Sequence, residues 1–157
     1  PVQPMEVMAG KLAPYVVIGL VQTTIILTLA RFLFDVPMQG GWFNLSLGVS
    51  LFIVGSLALG FAISTAARSQ LQAMQMTMFY ILPSILLSGF MFPFRGMPLW
   101  AQWLGQAIPV THFLRVVRGA LLKGQGIGDI WRELAALLAF VCVVTALAMA
   151  RYRRTLD

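Results

Sequence analysis

Four long apolar stretches set the physical class of this 157-residue sequence before any motif is read. They cover residues 13–34, 43–67, 71–92 and 130–150, and a greasy, aromatic but interrupted connector fills 93–129. An α-helix rises about 1.5 Å per residue and a bilayer core is about 30 Å thick, so about 20 apolar residues suffice to cross it. Each stretch meets that length. A water-soluble helical core would need a polar face on every helix, yet 43–67 contains no charged residue at all. The composition agrees: 59% hydrophobic, 10% charged, mean hydropathy +0.86. The expected fold is an all-α membrane protein. It has four transmembrane helices, with a re-entrant or interfacial helical pair between the last two.

The spans differ in what they carry. The first is expected to start near Pro14, in a helix first turn where the missing N–H costs nothing, and to end on Arg31 and Asp35, four apart and placed to pair. The brief turn from Pro37 to Trp42 makes spans one and two antiparallel neighbours, with Trp42 at headgroup depth. Span two holds two small-residue rows, Ser56–Gly60–Ser64 and Ala58–Ala62–Ala66, which let helix backbones approach closely in lipid. Span three opens with Gln70, Gln72 and Gln75 among methionines; amides at that depth are costly unless paired or facing water. Gln75, Tyr80 and the expected kink at Pro83 are therefore candidates for lining a pathway. A Met-rich packing helix with a proline kink accounts for them equally well.

The connector divides into two short amphipathic patterns. Pro98 to Ala107 sets Trp100, Trp103, Leu104 and Ala107 on one face; Pro109 opens a second helix with Val110, Phe113, Leu114, Val117 and Leu121 together. His112, Arg115 and Arg118 occupy another side of that second helix. Neither pattern is long enough to cross, which reads as an interfacial or re-entrant pair. His112 with Arg118 is either a functional polar cluster or a headgroup anchor. Asp129 is expected to cap the last span, which ends in Arg151, Arg153 and Arg154.

The net charge of +6 is scattered in ones and twos at span ends, which fits phospholipid headgroups and subunit contacts and not nucleic acid. Cys142 is the single cysteine, so no intrachain disulfide forms, and no His/Cys cluster offers a metal site. No cofactor is expected on this chain. Basic residues divide almost evenly between the two sides, with Arg95, Arg115, Arg118 and Lys123 opposite the termini; the dense triple-arginine tail and the absence of a basic residue from the 35–42 turn favour cytoplasmic termini. With no Met start or signal pattern, the sequence is expected to be the C-terminal part of a longer protein.

The connector also carries a resemblance. The run from Leu87 to Trp100 (Leu-Ser-Gly-Phe-Met-Phe-Pro-Phe-Arg-Gly-Met-Pro-Leu-Trp) includes Gly89, Pro93, Met97 and Pro98. It is followed by Pro109-Val110-Thr111-His112 and, six after the histidine, Arg118. This resembles the C-terminal half of type-2 ABC exporter permeases, the membrane subunits used for drug, polysaccharide and lipid export. Residues 4–11, Pro-Met-Glu-Val-Met-Ala-Gly-Lys, resemble the end of that family's cytoplasmic loop between spans two and three.

The resemblance implies that the four spans are the family's third to sixth, with the first two spans and the large external loop absent from this sequence. It implies a non-enzymatic subunit of a bacterial-type inner membrane, paired with a second permease copy as a homo- or heterodimer. ATP and Mg would be held by a separate ABC ATP-binding subunit. Glu6, Lys11 and Arg68 would lie at the loops that couple to that subunit, and 93–129 would be the outward-side re-entrant pair.

Two rival readings come from the residues themselves. Ser88 with His112 as base would suit an intramembrane serine protease, but Leu86 stands where a G-x-S-x-G turn needs glycine. An ion-coupled secondary transporter would place carboxylates near mid-bilayer, whereas every Asp and Glu here lies at a span end or in a loop.

Overall fold

The structure, a computed structural model, describes residues 3–37 and 39–156. Met38 of the expected first turn and the N-terminal Pro1 and Val2 lie outside the described residues, as do the side chains of Arg153 and Arg154 in the basic tail. The described residues form α-helices and one short 3₁₀ turn. The order is α1 (Pro4–Phe34), α2 (Trp42–Ala66), α3 (Gln70–Leu87), the 3₁₀ turn (Phe94–Gly96), α4 (Leu99–Gln106), α5 (Pro109–Leu122) and α6 (Ile127–Leu156).

The first helix begins more than two turns before the expected start. Pro4 occupies its first turn, and the Glu6 carboxylate accepts from the Gln3 N–H at 3.2 Å, closing the N-terminus. Met8 points inward against Ala58, Val144 and Ala148, so tertiary packing extends the helix through Pro14. In its exposed middle, Thr23, Thr24 and Thr28 donate to the carbonyls of Gly19, Leu20 and Thr24, which satisfies each hydroxyl inside the helix. The helix ends at Asp35, whose left-handed conformation (φ 51°) directs its N–H to the Ala30 carbonyl. The expected Arg31–Asp35 ion pair does not form. The turn at Asp35 brings the Val36 carbonyl to the guanidinium instead, at 3.4 Å.

A three-residue turn separates α2 from α3. Ser69 caps α3 by accepting the Gln72 N–H at 3.1 Å, and Gln72 Oε1 reaches back to accept the Arg68 N–H at 2.6 Å. Gln72, one of the amides that open this stretch, thus builds its start together with Ser69. Pro83 lies inside the helix, and the Ser84 hydroxyl donates to the Tyr80 carbonyl at 2.7 Å.

The main seam packs α2 against α6, and the two run in the same direction. Gly48 sits beside Leu134, Gly55 against Phe140 and Val141, and Ala58 with Val144 and Ala148. A Cβ at Gly55 would lie 2.7 Å from the Phe140 ring, and one at Gly48 would lie 2.6 Å from Val116 Cγ1. Close approach therefore rests on Gly48, Gly55 and Ala58, with Ala62 packed beside them. The Ser56–Gly60–Ser64 row is not the seam: Ser64 is exposed, and a Cβ on Gly60 would meet nothing. Antiparallel to both, α1 crosses α2 with Gly19 beside Ile53 and Leu27 against the Leu45–Val49–Ala120 cluster. In lipid, area burial gives little drive, so this close packing is what associates the helices.

The two connector helices stack at the end where α2 begins. Val116 of α5 wedges between Gly48 and Leu134, and Phe113 stacks on Phe52 with ring centroids 4.2 Å apart. Gly40 donates to the Ala120 carbonyl at 2.6 Å, tying the first turn to α5. The expected apolar face of α4 turns outward. Trp100, Trp103 and Leu104 are exposed, and the small residues Ala101 and Gly105 are what let the helix seat. Asp129 falls in the first turn of α6 and not at its cap, because the helix already begins at Ile127.

Among the described residues, three helices are long and apolar enough to cross a membrane: Met5–Phe34, Trp42–Ala66 and Gly128–Tyr152. The expected span at 71–92 is not among them. At 18 residues, α3 stops at Leu87, five residues early, and its amide-rich first turns dilute its hydropathy. Gly89, in the positive-φ region at 88°, turns the chain away.

Candidate functional site

The connector converges on one polar cluster. His112, on the second turn of α5, places Nδ1 against Glu133 Oε2 of α6 and donates from Nε2 to the Gln106 carbonyl at the end of α4, at 2.7 Å. Arg115, one turn on, lies 3.5 Å from Glu133 Oε1 and donates to Gln106 Oε1 at 3.2 Å. Its guanidinium also covers the Phe94 ring at 5.1 Å. Arg118, a further turn along, donates to the Gly89 carbonyl at 3.3 Å. Buried Thr111 completes the set by donating to the Gly105 carbonyl at 2.6 Å.

The register explains the convergence. His112, Arg115 and Arg118 recur every three residues, so α5 presents one polar edge along its length. That edge meets four neighbours: the exit of α3 at Gly89, the 3₁₀ turn, the end of α4, and the first turns of α6. The side chains of His112 and Glu133 are 15% and 20% exposed, so each depends on the other for its polar contacts.

Glu133 was not singled out among the sequence-derived site residues. As one carboxylate beside Trp131 and Arg132 it looks like a headgroup residue. The signal was in the spacing: Ile130, Leu134 and Leu137 are buried, and 130, 133, 134 and 137 form one helical stripe. A carboxylate on a buried stripe requires a partner.

The other motif residues are distributed around this cluster. Gly89 and Arg118 touch. Pro93 opens the 3₁₀ turn; Pro98 and Pro109 stand at the starts of α4 and α5; the Met97 carbonyl accepts the Gln102 side-chain amide at 2.9 Å. In α3, Gln75 is exposed on a shallow apolar groove with Leu71, Met74, Met78, Phe79 and Leu82, whereas Tyr80 is partly buried on another side. Gln75 and Tyr80 therefore lie on different sides of α3. Glu6, Lys11 and Arg68 lie at the opposite end of the molecule, at the start of α1 and the α2–α3 turn. Lys11 Nζ stands 6.0 Å from the Phe61 ring, and Arg68 is exposed.

The protease geometry is absent. The buried Ser88 hydroxyl donates to the Ile85 carbonyl at 3.3 Å, and both ring nitrogens of His112 are engaged elsewhere. A nucleophile and base must share a hydrogen bond, and these do not.

Gly89 gives a clean test of the chain's exit from α3. A Cβ there meets ordinary van der Waals distances, the nearest 3.6 Å from Phe94, so Gly89→Ala adds backbone strain alone. It is expected to cost about 1–2 kcal/mol, read as a lowered melting temperature of the detergent-solubilised full-length protein.

Comparison with known proteins places this arrangement. The chain matches the family described as ABC-2 type transporter over residues 1–122. It is 27% identical to a probable multidrug ABC transporter permease, YbhR, of Escherichia coli K12, over 98% of this chain and 42% of that protein. It is 29% identical to the inner membrane transport permease YhhJ of the same organism, over 99% and 42%, and 29% identical to ABC transporter G family member 20 of Dictyostelium discoideum, over 94% and 20%. The chain thus spans about two fifths or less of the length of these relatives. No solved structure is a significant match. With a family match over most of its residues and at least three helices fit to cross a membrane, the chain belongs to the ABC-2 type transporter family of membrane permeases.

Proposed function

We propose that this chain is part of the membrane-spanning permease of an ATP-driven exporter, moving an apolar or amphipathic substrate out of the cytoplasm or inner leaflet by alternating access. Family membership over residues 1–122 is the observation that carries the reading. The work of ATP hydrolysis, with its Mg, falls to a separate ATP-binding subunit, and a second permease copy completes the pathway. The names of two relatives, a probable multidrug ABC transporter permease and an inner membrane transport permease, support this class and an inner-membrane location.

The membrane topology in this reading has four crossings, with α4 and α5 as a re-entrant pair. Its support is the path of α3. That helix leaves the end of α2 near Ala66 and returns the chain to Gly89, beside α5 and the start of α2. Its amides, too polar for bare lipid, would then face protein or a water-filled path. Of the non-spanning pair, α5 packs against α2, α3 and α6 and α4 against α3, which would cover much of its backbone at that depth. Both termini, the α2–α3 turn and Glu6, Lys11 and Arg68 lie on the cytoplasmic side, where the ATP-binding subunit docks. That subunit shifts the transport equilibrium only through contacts that differ between the two states.

Arg68 supplies the local test. Its side chain is exposed and only its backbone N–H is used by Gln72, so Arg68→Glu should change stability by no more than about 0.5 kcal/mol. Co-purification of the ATP-binding subunit with the full-length variant is expected to fall sharply. The whole reading is tested by purifying the full-length protein with its nucleotide-binding partner and measuring ATPase rate against candidate substrates. Substrate-stimulated hydrolysis is the expected result; transport that ignores ATP and follows an ion gradient would overturn it.

A further inference from the structure

The polar cluster has a hydrogen-bond count that a neutral histidine does not meet. Nε2 of His112 faces the Gln106 carbonyl oxygen, and Nδ1 faces a carboxylate oxygen of Glu133. Carbonyls and ionised carboxylates only accept, whereas neutral imidazole has one N–H and one lone pair. Both contacts form together only when the pair carries one further proton. Arg115 stands at the second oxygen of Glu133, so the carboxylate has a cationic partner on each side when the ring is the imidazolium.

We infer that His112 and Glu133 form a proton-dependent latch joining the α4–α5 pair to α6. With the proton bound, the ring ties the end of α4 to α6 through α5. When the proton leaves to water, the ring retains a single N–H and one of the two ties is lost. The α4–α5 pair is then held to α6 by its apolar packing around Val116 and by Arg115, which reaches both Gln106 and Glu133.

The surroundings isolate this chemistry to a few groups. From α6 the ring meets Glu133; Asp129 and Arg132 on that helix are exposed and make no ion pair with the cluster. From α5 itself, Arg115 shares the same carboxylate and Arg118 is engaged with Gly89. The end of α4 offers only uncharged Gln106; α2 and α3 carry no Asp, Glu, Lys, Arg or His, and Arg95 of the 3₁₀ turn is exposed. The latch goes beyond the permease reading. Only its position on the outward side rests on that reading; its proton chemistry does not.

The test uses the full-length protein in detergent with ¹⁵N-labelled histidine, the His112 signal being assigned by its loss in His112→Gln. As pH is raised across the range in which the protein stays folded, the ring is expected to pass from two N–H groups to one. Amide hydrogen exchange over α4 and α5, corrected for the intrinsic pH dependence, should accelerate about tenfold in step, the change expected for losing one charge-assisted hydrogen bond. Glu133→Gln separates latch from proton. Its amide donates to the ring's lone pair, so a neutral ring makes both contacts, and exchange should stay slow at both pH extremes. Glu133→Ala should exchange fast at both. A wild-type ring that is neutral where protection is greatest, or Glu133→Gln with the same pH-dependent exchange as wild type, would overturn the latch. Loss of the ATPase partner would leave the ring signals unmoved, so the two proposals fail separately.

Discussion

Gly55→Leu is expected to leave no stably folded protein in detergent. Even a single Cβ at this position falls 2.7 and 2.8 Å from two ring atoms of Phe140 and 3.1 Å from Val141 Cγ2, and leucine adds three further carbons. Alanine at the same site gains up to about 1 kcal/mol in helix propensity but meets an overpacking cost of about 1–3 kcal/mol. The net effect of Gly55→Ala is therefore modest destabilisation, and Gly55→Leu has no comparable compensation. Pairing Gly55→Ala with Phe140→Leu should recover most of the loss, since the obstructing ring is removed. Melting followed by size-exclusion chromatography reads all three. Full stability in Gly55→Leu would mean that α2 and α6 do not pack at this point.

Gly105→Val is the second large effect, and it is aimed at the connector. A Cβ on Gly105 collides with the Leu87 carbonyl and lies 2.7 Å from the Phe94 ring. The first of these is backbone and has no rotamer to retreat to. The substitution is expected to pry α4 from the exit of α3 and to disturb the bond from Thr111 to the Gly105 carbonyl. The cost should reach at least about 1–3 kcal/mol, and it should be local. Limited proteolysis is expected to cut within 88–98 in the variant while α2 and α6 stay protected. In the proposed exporter, substrate-stimulated ATPase should fall with it. Uniform protection across the chain would argue against a tight α3–α4 junction.

The parts of the fold readable from sequence are those fixed by solvent. Spans two and four were legible because a run such as 43–67 without charge has one stable environment, and α2 ends within a residue of the expected limits. The connector's division at Pro98 and Pro109 was legible because proline permits only a few positions in a helix, and α4 and α5 start there. Less readable were features decided by long-range packing. The start of α1 is set by Met8 meeting Ala58 and Ala148, partners 50 and 140 residues away, which no local window contains. Small-residue spacing announced a close contact on α2 but not which row would make it; Phe140 and Val116 decide that.

The polar site was half legible for the same reason. His112 and Arg118 stand out against an apolar background, and their spacing shows a shared edge. What they bond to depends on how α5 lies across α6. Glu133 was visible only as one more span-end charge until the buried stripe of Ile130, Leu134 and Leu137 showed which way it faced. The apolar face of α4 did not reveal its surroundings, because a protein interior and lipid select the same residues. Trp100 and Trp103 satisfy either, and the helix is seated by Ala101 and Gly105.

The parallel alignment of α2 with α6 has a consequence for biogenesis. The part of α2 around Gly55, which meets Phe140 and Val141, has no occupant until α6 has been synthesised and released sideways into the bilayer. From Ala66 to Leu156 the ribosome needs roughly 5–20 s at about 5–20 residues per second, during which the nascent membrane segments lack their principal mate. Any break in translation before residue 130 strands an open, close-packing surface in lipid, a natural substrate for membrane quality control.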